Sequence, residues 1–281
     1  MSPRHLVAYL QERFPPVAYG VLVGLFFGSA TLVSNAVGEG RTVHWAGALV
    51  VFLVFFHLRV FDEHKDYETD LLAYPDRVLS KGLVTLRDLK ILGILAIGTE
   101  LGLSVWIGSK ALIVWALTLL FTLLMAREFF LGRWLRKHLV VYAVSHNPVV
   151  ACLALFCWAC TDADWSYTMA AYFAVVSLGS LVFEVGRKFR LPSEEVPGVE
   201  SYTSVLGRGT AMAFLWTLIH LTAVSLGLLI LLMGDTVWIA ALPVVPALFL
   251  VLPASRAKKV ELGATLVLFL SMLIAGIVAW V

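Results

Sequence analysis

The chain has 281 residues, of which 60% are hydrophobic and 14% are charged, and its mean hydropathy is +0.89. A soluble domain of this length needs far more polar surface, so the composition indicates an integral membrane protein. The formal net charge is only +2, which gives no indication of nucleic-acid binding.

The first sixteen residues lack the compact apolar stretch and the small-residue cleavage site of a signal peptide. They are typical of a short amphipathic helix on the membrane surface, which Pro15 and Pro16 would stop. We therefore expect a surface helix before the first membrane span.

Apolar stretches of near bilayer-spanning length fill most of the remaining chain. The second and eighth are short, and a His146-Asn147-Pro148 sequence interrupts the fifth. The pattern predicts an all-α, polytopic membrane protein with about nine transmembrane helices, and eight or ten remain alternatives. The predicted spans are 17–37, 44–61, 88–108, 111–131, 139–160, 165–186, 210–233, 236–253 and 260–281.

Positive charge is distributed unevenly between the loops. Of the 21 Lys and Arg residues, 19 precede the first span or follow an even-numbered span, and only Arg41 and Lys110 lie in the opposite loops. The positive-inside rule then predicts a cytoplasmic N-terminus and an external C-terminus. A bacterial or archaeal plasma membrane is the expected location.

We predict one domain over 1–281, because no Gly/Ser-rich or Pro-rich linker divides the chain. Two charged loops, at about 62–87 and 187–209, are separated by four spans. This spacing suggests two pseudo-repeat halves whose loops face each other across a central cavity. The three cysteines match no zinc or redox spacing, which favours a packing role.

An acidic stripe marks the first of these loops. Three aspartates recur every four residues: Asp62, Asp66 and Asp70. On a helix they would share one face, and hard oxygen ligands at this spacing suit Mg²⁺. Arg77 and Lys81 follow and would add positive charge to a bound diphosphate. The alternative is a solvated loop with local ion pairs such as Asp62–Lys65.

The second loop also combines acids with bases. Glu184 lies near the end of the sixth span, where a carboxylate is costly, and Lys188 follows one helical turn later. Glu194 and Glu195 supply further oxygens. The alternative is a basic loop that only sets topology. Two such clusters on one side of the membrane would be able to clamp one polyanion.

Polar residues elsewhere give weaker indications. A kink at Pro148 would aim His146 and Asn147 into a cavity, but such residues equally often bond to a neighbouring helix. Glu100 and His220 have the same two interpretations. A pair at the end of the fourth span, Arg127 and Glu128, would interact locally. The basic run Arg133, Arg136 and Lys137 is most simply a topology signal, although it would also help to hold phosphate.

The two loops resemble those of the UbiA superfamily of intramembrane prenyltransferases. The first family motif usually reads Asn-x-x-x-Asp-x-x-x-Asp and then Arg-Pro-Leu-x-x-Gly. The corresponding strings here are Asp62-x-x-x-Asp66-x-x-x-Asp70 and Arg77-Val78-Leu79-Ser80-Lys81-Gly82. The second, Asp-rich motif corresponds more loosely to Glu194-Glu195, Gly198-Val199-Glu200-Ser201 and Leu206-Gly207. This chain departs by having Asp62 for Asn, Val78 for Pro, and glutamates for aspartates.

The resemblance implies nine helices around a central, lipid-open cavity. It also implies Mg²⁺-dependent transfer of a polyprenyl group from its diphosphate to an aromatic or other lipophilic acceptor, with release of pyrophosphate. The implied catalytic residues are Asp66, Asp70 and Lys188. The implied diphosphate-binding residues are Arg77, Lys81, Lys188 and Arg190. The implied Mg²⁺ ligands are Asp62, Asp66, Asp70, Glu184, Glu194 and Glu195. His146 or Asn147 is the expected acceptor-orienting residue.

Other functions are compatible with parts of this pattern. A UbiA-type terpene cyclase would use the same diphosphate site without an external acceptor. A membrane transporter would use the acidic loops to collect cations, although the spans hold few ionisable groups for a through-path. A non-catalytic lipid-binding scaffold is a further alternative. The expected partners are the prenyl diphosphate, its acceptor and membrane lipids, with no nucleic acid and no obligate protein partner.

Overall fold

A computed structural model of the chain describes residues 2–36, 42–195, 199–234, 236–242, 245–246 and 257–280. Helices dominate this part, and its single isolated β-bridge joins Val43 to Thr161. The α-helices are α1 (Pro3–Arg13), α2 (Pro16–Ala36), α3 (Ala46–Lys65), α4 (Tyr67–Ala73), α5 (Leu86–Ile107), α6 (Ser109–Ala126), α7 (Gly132–Leu135), α8 (Leu139–His146), α9 (Pro148–Ala159), α10 (Tyr167–Arg187), α11 (Tyr202–Leu206), α12 (Arg208–Met233) and α13 (Ala257–Trp280). Short 3-10 turns cover Glu128–Phe130, Pro192–Glu194 and Thr236–Ala241.

Seven segments of the described chain are long and apolar enough to cross a membrane. This confirms the prediction of an all-α, polytopic membrane protein, and α1 confirms the predicted N-terminal helix. The seven segments are α2, α5, α6, the α8–α9 pair, α10, α12 and the 258–280 part of α13.

The predicted number of nine spans is not confirmed. The second predicted span corresponds to α3, which runs beyond its apolar part into the charged residues Asp62, Glu63 and Lys65. Most of the eighth, 236–253, lies outside the described residues. The fifth predicted span is present as α8 and α9, which together form one segment long enough to cross a membrane. The Asn147 N–H donates to the Ala143 carbonyl at 3.0 Å, so helical hydrogen bonding reaches the junction between the two helices.

The chain divides into two compact units. Unit 1 comprises Met1–Gly24 and His44–Phe130, and unit 2 comprises Leu25–Val43 and Leu131–Val281. In unit 1, α3 packs against α5 and α6. The Phe14 ring, at the end of α1, stacks on Tyr19 at 3.9 Å between centroids and meets Phe52 edge-on at 5.1 Å. Aromatic packing therefore holds α1 on the core of this unit.

In unit 2, α10 is the central helix and packs against α9, α12 and α13. Small residues allow α13 to approach closely. A Cβ added to Gly186 would lie 2.3 Å from the Ala264 Cβ, far inside van der Waals contact. Close approach through small residues is the usual means of packing helices in a membrane, where lipid offers no hydrophobic driving force between them.

Candidate functional site

The first acidic segment retains its helical spacing in the structure. Helix α3 ends at Lys65 and α4 begins at Tyr67, so Asp66 lies at the junction. The Asp66 N–H donates to the Asp62 carbonyl at 2.9 Å, and the Asp70 N–H donates to the Asp66 carbonyl at 2.8 Å. These i to i−4 bonds continue across the junction. The three aspartates therefore keep the four-residue repeat on which the predicted stripe depended.

The flanking aspartates have cationic partners. The Asp70 Oδ2 atom is paired with Arg77 and lies 3.4 Å from the Arg13 guanidinium. Asp62, whose side chain is 47% exposed, pairs with Lys65 at 3.3 Å. The structure thus places Arg77 beside the stripe. It also contains the local Asp62–Lys65 pair that the alternative interpretation proposed.

Lys81 lies elsewhere in the segment. Its ammonium pairs at 3.2 Å with Asp76, which is 96% exposed. A hollow of about 340 Å³ beside Asp76 is lined by both apolar and charged side chains. Its lining residues are Glu12, Ala73, Tyr74, Pro75, Asp76 and Arg77.

Asp66 has an unfavourable environment for a carboxylate. Desolvation by the surrounding chain is the main cause that raises the pKa of Asp66, although its side chain still reaches solvent. Repulsion from Asp62, Asp70 and Glu128 raises this pKa further, while Lys65 lowers it. The ionised stripe is therefore electrostatically crowded. A bound divalent cation would relieve this crowding, because an opposite charge favours the ionised form.

The fourth acid in this environment, Glu128, lies on a left-handed turn. Three successive non-glycine residues have positive φ: Glu128 (+48°), Phe129 (+52°) and Phe130 (+61°). Each such residue costs roughly 1–2 kcal/mol relative to the right-handed conformation. The turn ends α6 at Ala126, whereas the fourth predicted span continued to residue 131. The Glu128 side chain is only 5% exposed. No glycine or asparagine signals this turn in the sequence, so the contribution of Glu128 was missed.

Helix α1 also contacts the acidic segment, which sequence reasoning missed. The Arg13 Nε atom lies 2.6 Å from Oε1 of Glu63, whose side chain is 2% exposed. One residue earlier, Glu12 accepts a hydrogen bond at 3.1 Å from the backbone N–H of Val78. Val78 occupies the position where the UbiA motif usually has Pro. Because Pro has no N–H, this bond depends on the departure from the motif.

A buried polar network joins α3 to α5 and α6. The His57 Nδ1 atom lies 2.8 Å from Glu100 Oε1, and the Trp115 indole donates to Glu100 Oε2 at 3.0 Å. The other ring nitrogen of His57 lies 3.2 Å from the Thr122 hydroxyl. His57 and Glu100 are both fully buried. Glu100 is therefore bonded to neighbouring helices, one of its two predicted interpretations, whereas the contribution of His57 was not foreseen.

The acids of the second motif have local partners in unit 2. Glu184 pairs with Arg187 at 2.6 Å and with Lys188 at 2.8 Å. Glu195 accepts a hydrogen bond from Ser201 at 2.6 Å. Glu194 accepts one from the backbone N–H of Leu191 at 3.2 Å, and the N–H of Arg190 donates to Thr203 at 3.1 Å. These bonds shape the loop, in which Pro197 and Gly198 lie outside the described residues.

The predicted acceptor residues differ in their surroundings. The Asn147 amide donates to the Ser177 carbonyl of α10 at 3.0 Å, which is a helix-to-helix bond. The His146 ring stacks on Tyr142 at 4.0 Å between centroids, and the Lys188 ammonium lies 5.9 Å from the same Tyr142 ring. His220 contacts the Trp216 carbonyl at 2.8 Å within its own exposed helix turn.

No group of three or more His, Cys, Asp or Glu side chains is arranged to hold a metal ion in the part of the chain that the structure describes. The donor chemistry of the acidic stripe nevertheless fits Mg²⁺. This ion usually takes one or two carboxylates and completes its shell with substrate phosphate and water. A preformed cage of three protein ligands is therefore not required.

Comparison with protein-family models finds no match, and comparison with curated proteins finds none either. Solved structures do match over nearly the whole chain. A UbiA homologue from Aeropyrum pernix K1 matches with a TM-score of 0.64 and 16% identity, covering 93% of this chain and 96% of its own. A UbiA homologue from Archaeoglobus fulgidus, bound to DMAPP and Mg²⁺, matches with a TM-score of 0.63 and 14% identity, covering 97% and 99%.

A digeranylgeranylglyceryl phosphate synthase structure matches with a TM-score of 0.59 and 18% identity, covering 98% of this chain and 99% of that protein. At these identities the likeness concerns the fold. It shows that this chain has a polytopic, all-α fold similar to the folds of these three proteins, which is the fold that the motif resemblance implied.

Proposed function

We propose that this protein is a Mg²⁺-dependent intramembrane prenyltransferase. It would transfer a prenyl group from a prenyl diphosphate to an aromatic or other lipophilic acceptor and release pyrophosphate. The observation that carries the proposal is the crowded aspartate stripe of α3 and α4, with Arg77 beside it, in a chain of UbiA-type fold. The Mg²⁺ and DMAPP bound to the A. fulgidus homologue support this choice of substrate class and metal.

Asp62, Asp66 and Asp70 are the proposed Mg²⁺ ligands of unit 1. When bound, Mg²⁺ supplies positive charge to the diphosphate oxygens and so favours departure of pyrophosphate. Asp66 is the central ligand, because desolvation and repulsion from neighbouring acids both disfavour its ionised form, so that it gains most from a cation. Asp70 is held on Oδ2 by Arg77 and Arg13, which fixes its orientation.

The cationic residues have a separate proposed role. Arg77 and Lys81 add positive charge that a leaving diphosphate requires as its negative charge develops. We propose the same role for Lys188 and Arg190 from the resemblance of the second motif. Lys188 already neutralises Glu184 in this structure, so a phosphate would compete with that carboxylate for the ammonium.

The remaining residues are proposed from the resemblance alone. Glu184, Glu194 and Glu195 would act as further Mg²⁺ ligands, and each would exchange a present hydrogen bond or ion pair for the metal. His146 is the proposed acceptor-orienting residue. Asn147 is the weaker choice for that role, because its amide is already bonded to the Ser177 carbonyl.

The proposal is tested by pyrophosphate release from the purified protein in nanodiscs. A panel of prenyl diphosphates is supplied with Mg²⁺, with and without a lipid extract that contains candidate acceptors. We expect release that requires Mg²⁺ and is abolished by Asp66→Asn. The matched control is Asp76→Asn, the same change at an almost fully exposed position of the same segment, which should retain activity.

Each alternative has a distinct outcome in this assay. Release that does not depend on the extract, with a cyclised hydrocarbon product, would identify a terpene cyclase and refute the transfer step. Full activity of Asp66→Asn would refute the metal site. Absence of release with every substrate, together with ion flux in liposomes, would refute the enzyme and favour a transporter.

A further inference from the structure

The short connection from Leu131 to His138 in unit 2, here named the basic segment, has an amphipathic organisation. Its only buried side chain is Leu135, which is 3% exposed and anchors α7. Trp134 and Leu131 are 50% and 56% exposed. The basic side chains of the segment are exposed as well: Arg133, Arg136, Lys137 and His138. The segment therefore presents apolar and positively charged side chains together.

The sequence that contains the segment is poor in acidic residues. No Asp or Glu occurs from Phe129 to Thr161. Within the described residues, Arg133 and Lys137 form no ion pair, whereas Arg77 and Lys188 in the other cytoplasmic-type loops each pair with a carboxylate. Arg133 and Lys137 are thus exposed cations that are available to an external anion.

The position of the basic segment between two membrane spans determines its surroundings. The segment follows the span that ends at Ala126 and precedes the span that begins at Leu139. So short a connection between two membrane-crossing helices stays at the level of the lipid headgroups. Exposed tryptophan is typical of that level, where its ring contacts both acyl chains and water.

We propose that the basic segment binds the headgroup of an anionic phospholipid. Arg133 and Lys137 complement the phosphate charge, while Trp134 and Leu131 contact the adjoining acyl chains. A diphosphate in solution would match the cations but would make no use of the two exposed apolar side chains, which favours the lipid. This inference does not depend on the proposed enzymatic activity.

The test compares two lipids, phosphatidylglycerol and phosphatidylcholine, binding to the intact protein by native mass spectrometry. A basic residue near an anionic surface contributes roughly fivefold to affinity, so Arg133→Gln with Lys137→Gln should weaken phosphatidylglycerol binding about 30-fold. Phosphatidylcholine binding should not change. Higher salt should reduce the preference for phosphatidylglycerol, because it screens exposed charges.

A matched control removes the same charges elsewhere. Arg87→Gln with Lys90→Gln also deletes one exposed Arg and one exposed Lys at the start of a span, but beside Asp88. This control should change phosphatidylglycerol binding by less than about twofold, since the neighbouring carboxylate already offsets part of the charge. Pyrophosphate release measured in parallel separates this inference from the proposed function.

Three outcomes would overturn the inference. The first is equal binding of phosphatidylglycerol by the two double variants. The second is unchanged lipid binding by Trp134→Ala, which would remove the apolar contribution. The third is displacement of phosphatidylglycerol by inorganic pyrophosphate from the wild type but not from Arg133→Gln with Lys137→Gln, which would assign the segment to the diphosphate instead.

Discussion

The buried pair formed by His57 and Glu100 provides a direct test of how α3 is held in place. Replacing Glu100 with Leu keeps an apolar side chain of similar size but removes both carboxylate oxygens. The His57 Nδ1 atom then loses its partner at 2.8 Å, and the Trp115 indole loses its partner at 3.0 Å. We expect this single substitution to destabilise unit 1.

The expected magnitude follows from the number of groups left without a partner. A buried donor without an acceptor costs about 1–3 kcal/mol, so two such donors cost roughly 2–6 kcal/mol. Hydrogen bonds between membrane helices are often weaker, which favours a value of about 3 kcal/mol. At about 2–3 °C per kcal/mol for a chain of this size, the midpoint of thermal unfolding should fall by roughly 6–9 °C.

A double-mutant cycle distinguishes the pair from its neighbours. Adding His57→Phe to Glu100→Leu removes the imidazole that would otherwise be unsatisfied and leaves only the Trp115 indole without a partner. The double variant should therefore be more stable than Glu100→Leu alone. The readout is thermal unfolding of each variant in nanodiscs. Additive losses in the double variant, or no loss in Glu100→Leu, would refute the reasoning.

Three further predictions concern stability. Asp66→Asn should stabilise the metal-free protein at neutral pH, because it removes a carboxylate whose pKa is raised in the folded state. The difference in unfolding midpoint between Asp66→Asn and the wild type should vanish as the pH falls below the ordinary pKa of Asp, where the wild-type side chain is also neutral. Arg13→Ala should cost about 3 kcal/mol in unfolding free energy, since it leaves the Glu63 carboxylate buried without its cation. Gly186→Ala should cost at least about 1–3 kcal/mol, and Ala264→Gly in the same chain should recover most of it, because the two Cβ atoms would otherwise lie 2.3 Å apart.

Controls for these predictions lie in the same chain. Arg4→Ala removes an exposed arginine from α1 and should change the unfolding midpoint little. Gly209→Ala adds a Cβ that meets no atom within 4 Å. A Gly209→Ala variant as unstable as Gly186→Ala would contradict the packing explanation. Equal stability of wild type and Asp66→Asn across the pH range would contradict the crowded-carboxylate explanation.

The sequence predicted those features that depend on composition and on regular spacing. Hydropathy is sufficient for the all-α membrane fold, and a four-residue repeat is sufficient for the stripe of Asp62, Asp66 and Asp70. Contacts between residues distant in the chain leave no such periodic signal. Arg13 and Glu63 are 50 positions apart, and His57 and Glu100 are 43 apart, so neither pair was foreseen.

The sequence pattern also gave no indication of local departures from regular helix geometry. The left-handed turn at Glu128, Phe129 and Phe130 carries no glycine or asparagine, so it contradicts local preference. The structure supports such a turn only where surrounding contacts hold it, and Glu128 is indeed buried. Positions of this kind are frequent at functional sites, and this one lies close enough to Asp66 to affect its pKa.

These contacts together explain how unit 1 tolerates a crowded acidic stripe. Three carboxylates that repel one another favour local unfolding of the α3–α4 junction at Asp66. Helix α1 opposes this tendency, because Arg13 bridges Glu63 and Asp70 while Glu12 binds the Val78 N–H. The stripe is thereby kept in a helical arrangement before any cation binds. In an enzyme of the proposed kind, this preorganisation would lower the cost of assembling the site when Mg²⁺ and substrate arrive.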